Sequence, residues 1–142
     1  MGRILALDYG ERRIGMAVSD PSGTIAQPLP TISRRIGRRP PYAKILDVLR
    51  QWEIERIVIG LPIEPSGEEG DPATTVRAFG TEIERRSGLE VEYRDERFTS
   101  ARAEREIARL GLSATARRDK QRVDAMAATF ILQAYLDGRP RT

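Results

Sequence analysis

The chain has 142 residues, the size of one domain able to bury a single core, with 39% apolar and 32% charged residues and a formal net charge of +3. It has neither Cys nor His, which excludes disulfides, thiolate nucleophiles, cysteine zinc sites and the commonest general base. Any catalysis must rest on oxygen, nitrogen or hydroxyl side chains, or on a hard cation held by oxygen such as Mg²⁺ or Mn²⁺.

No run approaches the 18 or so apolar residues of a membrane span, and the start MGRILALDYG has no secretory h-region, so a cytoplasmic protein with no membrane partner is expected. In chain order, 3–9 (RILALDY) and 13–19 (RIGMAVS) read as a hairpin broken at Gly10–Glu11–Arg12. A third extended segment, 24–33, carries Pro28 and Pro30 and suits an edge strand. After the basic loop 34–41, helical spacing appears at Ile45, Leu46, Leu49 and Trp52.

The continuous apolar run 56–61 predicts a buried strand, and 62–71 a loop. Asp71-Pro72 predicts an N-cap and first turn for a helix faced by Val76, Phe79 and Ile83 and stopped at Gly88. Strand 89–94 follows, then a charged helix from Thr99 or Ser100 to Leu110, a basic loop at 112–119, and a last helix from about Lys120 to Leu136. The order β-β-β-α-β-α-β-α-α predicts one α/β domain over 1–142: an antiparallel β1-β2-β3 unit, then alternating strands and helices, in a mixed sheet flanked by helices.

Three places carry anomalous carboxylates. Asp8 ends an apolar strand on the face of Ile4 and Ala6, where a charge is costly unless it is paired or meets a cation. Asp124 lies within about 20° of Ile131 on the helical wheel of the last helix, whose expected apolar stripe is Val123, Met126, Ala127, Phe130, Ile131 and Ala134. In Asp95-Glu96-Arg97, strand parity puts Asp95 with Val91 and Tyr93 and Glu96 with Glu92 and Arg94, and does not choose between the two acids. Carboxylates gathered from strand ends and a helix repel one another, and a divalent cation resolves the repulsion; such a cluster suits two-metal phosphoryl transfer.

Basic segments flank these elements: Arg12 and Arg13; Arg34 and Arg35 with Arg38 and Arg39; Arg97; and Arg117 and Arg118 with Lys120 and Arg122. Along an approach to the acids they would bind phosphates without reading sequence. No RNA-binding aromatic motif interleaves with the basic runs, so base stacking is not evident from them.

Four motifs, LALDYGERRIGMAVSD (5–20), IVIGLP with the acidic Gly-containing loop after it (57–70), DERFTSARA (95–103) and VDAMAATFILQAYLD (123–137), resemble the YqgF, or RuvX, family in order over essentially the whole chain. The resemblance implies the RNase H-like fold of Holliday-junction resolvases and a nuclease maturing the 5′ end of pre-16S ribosomal RNA. A resolvase-like DNA activity and a non-catalytic binder of nucleic acid or ribosomal precursors are the alternatives. By motif it implies Asp8, Glu96 and Asp124 as the catalytic, metal-binding acids, with Asp95 adjoining, Arg13 in the motif of Asp8, and Thr99 after the acidic run.

The partners implied are an RNA precursor or branched or single-stranded DNA, with the chain a monomer or homodimer. The loop after Gly-Leu-Pro departs from the family's Asn-x-Asp-Gly, reading Ile63-Glu64-Pro65-Ser66-Gly67, and it offers Glu64 as a further carboxylate.

Overall fold

The structure, a computed structural model, describes residues 2–96 and 116–138, with side chains of 116–124 excepted. Five strands form one sheet in the order β3-β2-β1-β4-β5: β1 (Arg3–Tyr9), β2 (Arg13–Ser19), β3 (Ala26–Ser33), β4 (Ile54–Leu61) and β5 (Glu90–Asp95). β1, β2 and β3 pair antiparallel, whereas β1–β4 and β4–β5 are parallel. The parallel pairs need crossovers, which α1 (Tyr42–Gln51) and α2 (Asp71–Ser87) supply. The last helix, α3 (Ala116–Asp137), lies on the opposite face. The helix expected between Thr99 and Leu110 falls outside the described residues.

Strand alternation divides the sheet into two unlike faces. Leu5, Leu7, Ile14, Met16, Val18, Ile57 and Ile59 turn toward α1 and α2 and meet Ile45, Leu49, Val76, Phe79 and Ile83. Full burial of such side chains stabilises the fold by about 1.5–3 kcal/mol each. The other face presents Ile4, Ala6, Ala17 and Val58 to Ala128, Ile131, Leu132, Tyr135 and Leu136 of α3.

Several expected boundaries move, each for a local reason. β3 starts at Ala26 because the Asp20 carboxylate accepts the backbone N–H groups of Thr24 (2.8 Å) and Ile25 (2.9 Å), drawing 24–25 into a turn. The N-cap of α2 is Gly70 and not Asp71, since the Gly70 carbonyl already accepts the N–H of Thr74 at 3.2 Å. Asp71 and Pro72 occupy the first turn, and Gly88 closes the helix in the left-handed region at φ 73°. β4 begins two residues earlier than expected, at Ile54.

α3 begins at Ala116, so Arg117 and Arg118 stand on helix backbone and not in a loop. Its buried stripe also differs from the expected one: Ala127, Ala128, Ile131, Leu132, Tyr135 and Leu136 are buried, Met126 and Phe130 are half-buried, and Ala134 is exposed. The run from Met126 to Leu136 is apolar almost all round, so its spacing alone did not fix the face. No described helix is long and apolar enough to cross a membrane.

Candidate active site

Asp8 is the next-to-last residue of β1, opposite Gly15 of β2 in the antiparallel register. Alternation with Ile4 and Ala6 puts it on the α3 face. The parallel register, with Leu7 beside Ile59, brings Gly60 of β4 alongside. A Cβ at Gly60 would stand 2.6 Å from Glu96 Oε2 and 2.6 Å from Ile131 Cδ1. Glycine at that point therefore leaves the space that the Glu96 carboxyl and α3 occupy.

Glu96 follows β5 directly, and its N–H extends the ladder by donating to the Leu61 carbonyl at 3.1 Å. Two residues back, Arg94 stacks over the Tyr135 ring of α3 at 5.2 Å. Four residues back, Glu92 accepts from Arg56 at 2.7 Å, and Arg56 also donates to the Tyr135 hydroxyl at 3.1 Å. The 92–94–96 set thus faces α3, which brings Glu96 to Asp8. Asp95 turns the other way and is exposed.

Burial, the charge of Asp8, a hydrogen bond with Asp8 and the charge of Asp95 together push the Glu96 carboxyl up to about 8. A protonated Glu96 can donate to Asp8. With both groups ionised, Oε2 of Glu96 is buried with no hydrogen-bond partner among the described residues. A buried, unpartnered carboxylate oxygen beside a second carboxylate, in a chain without His or Cys, is a donor set that fits a hard divalent cation.

The other expected residues divide into three groups. Asp124 lies on the backbone of α3, spaced i, i+4, i+7 and i+11 with Ala128, Ile131 and Tyr135 of the buried stripe; its side chain lies outside the described residues. Tyr135 meets Arg56 near the start of β4 and Ile131 meets Gly60 near its end, so the helix N-terminal to Ile131 runs toward the Asp8 end of the sheet. Glu64 is exposed within its own loop and lies against Gly70; the carboxylates that act on Glu96 are Asp8 and Asp95. The structure therefore does not bring Glu64 into the pair.

Among the basic residues, Arg12, Arg13 and Arg34 converge because β2 pairs with β3: Arg13 stands opposite Ser33, and the Arg34 N–H donates to the Arg12 carbonyl at 2.8 Å. Arg35, Arg38 and Arg39 are exposed on the loop that follows. Arg97 and Thr99, and the side chains of Arg117, Arg118, Lys120 and Arg122, lie outside the described residues. Among the described residues no group of three acids able to hold a metal ion is assembled.

Sequence reasoning missed Gly60 and Tyr9. A lone Gly inside the apolar run RIVIGL was the available sign of a close approach to the strand. Tyr9 ends β1, and its ring stacks on Phe79 at 3.9 Å and lies under the Arg34 guanidinium at 4.6 Å, contacts that no local pattern announces.

This sheet order, with two crossover helices on one face and a long helix over the acidic strand end on the other, is the RNase H-like arrangement. Among solved structures, Thermus thermophilus RuvC in complex with a Holliday junction substrate shares the fold with a TM-score of 0.57 and 16% identity, covering 94% of this chain and 93% of that one. The structure of Thermus thermophilus RuvC gives 0.54, at 15% identity and the same coverage.

In sequence, residues 2–138 match the family model described as "RuvX: Holliday junction resolvase". A Koribacter versatilis protein is 44% identical over 138 residues, covering 97% of this chain and 88% of its own length. One from Porphyromonas gingivalis is 40% identical over 146 residues, covering 99% and 100%. Both carry the name "Putative pre-16S rRNA nuclease". The chain belongs to the RuvX family.

Proposed function

We propose that this chain is a divalent-metal-dependent nuclease that hydrolyses phosphodiesters of pre-16S ribosomal RNA during maturation of its 5′ end, in the cytoplasm. The observation that carries the reading is the Asp8–Glu96 pair, forced together on the α3 face with a buried carboxylate oxygen that has no partner among the described residues. Asp8, Glu96 and Asp124 would hold Mg²⁺ or Mn²⁺, two ions being the arrangement that three acids best suit. The exposed Asp95 adds negative charge without facing the pair.

Bound there, divalent cations would lower the pKa of an attacking water and offset charge on the leaving oxygen. The chain's own part is positional. The β1 and β5 ends fix the two carboxylates, α3 excludes water from one side, and Gly60 keeps room for the Glu96 carboxyl. Arg12, Arg13 and Arg34 lie at the same end of the sheet, where they can neutralise substrate phosphates.

A junction-cutting activity on DNA is the second reading, favoured by the description of the family that the sequence matches. One experiment addresses both: cleavage assays with Mn²⁺ or Mg²⁺ on ribosomal RNA precursor, single strands, duplexes and four-way DNA junctions, with Asp8→Asn as control. Cleavage of the precursor that requires metal and Asp8 is the expected result. Preferential cutting of junctions would replace the RNA reading, and full activity in EDTA would overturn the metal-dependent mechanism.

A further inference from the structure

The loop between β3 and α1 carries an apolar residue set among arginines. Arg35, Ile36, Gly37 and Arg38 form a tight turn, in which the Arg38 N–H donates to the Arg35 carbonyl at 3.2 Å. Gly37 stands at φ 77°, the left-handed value that the third position of a type II turn requires. Ile36 is therefore at the corner, and it is 58% exposed. A Cβ at Gly37 would meet nothing within 4 Å, so the tip stands clear of the rest of the described chain.

The tip is held from its base. The Arg34 guanidinium donates to the carbonyls of Gly10 and Arg38, both at 3.4 Å, and rests on the Tyr9 ring at 4.6 Å. Tyr9 is stacked in turn on Phe79. Pro40 and Pro41 restrict the backbone on the other side of the turn. Arg34 thus ties the loop to the core, while Arg35, Arg38 and Arg39 are exposed. A side chain presented on a preset turn loses little freedom on binding.

Isolated exposed apolar side chains are ordinary, and Ile25, 63% exposed, is one, in a segment from Asp20 to Ala26 without an arginine. Ile36 differs in its setting. No acid occurs between Ser33 and Leu46, a stretch with four arginines and one lysine. That charge fits a polyanion, and the apolar corner fits the gap between two bases, which proteins open with Leu, Ile or Phe wedges. One isoleucine is too little apolar surface to anchor a chain in a bilayer. Ile36 and Gly37 also share a cleft with Pro62 and Glu96, so the tip stands at the end of the sheet where the acid pair lies, on the α2 side of it. Glu11 and Asp71 line the cleft as well and repel phosphate, which leaves the nucleic-acid backbone to the arginines.

We infer that Ile36 is a wedge: it enters between two stacked bases of the nucleic-acid substrate, while Arg35, Arg38 and Arg39 hold the phosphates on either side. The inference rests on the nuclease reading for its polyanion. It gives the loop a part of its own, to open and hold the strand beside the acids that cut.

The test uses the full chain carrying Asp8→Asn, in EDTA, with RNA and DNA duplexes bearing one 2-aminopurine moved through successive positions; its fluorescence rises where the base is unstacked. Binding should raise the signal at one or two adjacent positions. Ile36→Leu should keep the rise, whereas Ile36→Gln should abolish it and weaken binding by up to about tenfold with the salt dependence unchanged. Because Ile36 is exposed, these replacements leave the fold intact. Replacing Arg35, Arg38 and Arg39 together by Gln should lower the slope of log affinity against log salt by about 3.

Tight binding without a rise at any position, an equal rise with Ile36→Gln, or an unchanged salt slope in the triple variant overturns the inference. So does binding to phosphatidylglycerol vesicles that Ile36→Gln loses while duplex binding is kept. A rise that depends on Ile36, in a protein that cuts none of the substrates above, leaves the wedge standing and sinks the nuclease reading. Metal-dependent cutting with no rise does the reverse.

Discussion

The two faces of the sheet are built from different materials. Against α1 and α2 the strands present large side chains, and Leu5, Leu7, Ile14, Ile57 and Ile59 are fully buried. Against α3 they present Ala6, Ala17, Gly15 and Gly60 with only Ile4 and Val58 as large residues, and the helix answers with Ala128 beside Ile131, Leu132, Tyr135 and Leu136. The first face holds the fold together. The second lets α3 lie close to the strands and, at one end, shelters a pair of carboxylates from water. A charged site is costly to build, and here it sits where small residues leave room for it, while the opposite face supplies most of the apolar burial.

That contrast can be broken from either side. The largest effect is expected from Asp8→Asn, which should lower cleavage by about 10³-fold or more, read in single-turnover assays. Its thermal midpoint should stay level or rise, because the substitution removes a negative charge that acts on Glu96. On the other face, Ile59→Ala should cost about 2–5 kcal/mol in denaturant unfolding. Metal affinity, measured by calorimetry, should be unchanged.

Gly60→Ala tests the small-residue face directly. The added methyl meets Glu96 Oε2 and Ile131 Cδ1 at 2.6 Å, so a loss of about 1–3 kcal/mol is expected together with weakened metal binding. A loss of stability with unaltered metal affinity would show that the glycine serves helix packing alone.

The acidic pair also gives a pH signature. The Glu96 carboxyl is raised from 4.5 to about 8, so the folded metal-free chain binds more protons than the unfolded chain across that window. The stability that Glu96 contributes is fully present below pH 4.5 and is lost as pH rises toward 8. In EDTA the thermal midpoint should therefore fall over this range relative to Glu96→Gln, and Mg²⁺ or Mn²⁺ should counter the fall most at the upper end. The smallest effect belongs to Glu92→Gln: the ion pair with Arg56 is about one-third exposed on each side, so less than about 1 kcal/mol should be lost.

Much of the fold was legible because local signals agreed. The ranges of β1 and β2, the edge position of β3 with its two prolines, and the stop of α2 at Gly88 follow from alternation, from proline's missing N–H and from glycine's access to positive φ. The stripe of α3 was legible only in part, for the opposite reason. From Met126 to Leu136 nearly every direction around the helix is apolar, so which residues are buried depends on the surface they meet. The observed stripe of Ala128, Ile131 and Tyr135 continues in spacing to Asp124; of the expected Val123, Met126, Ala127, Phe130, Ile131 and Ala134, Ala127 and Ile131 are buried, Met126 and Phe130 half-buried and Ala134 exposed.

By itself the sequence determined the chemistry available. Without Cys or His, the charges set against apolar segments at Asp8 and Asp124 pointed to oxygen donors and a hard cation. The motif resemblance, and not strand spacing, singled out Glu96 over Asp95; tertiary structure decided which of the two lies beside Asp8. Period-two alternation says that neighbouring residues face opposite ways, but it does not say which side will be covered by a helix from the far end of the chain. The parallel register of β4 and β5, with α3 laid over Gly60, puts Glu96 beside Asp8 and leaves Asp95 exposed on the other side.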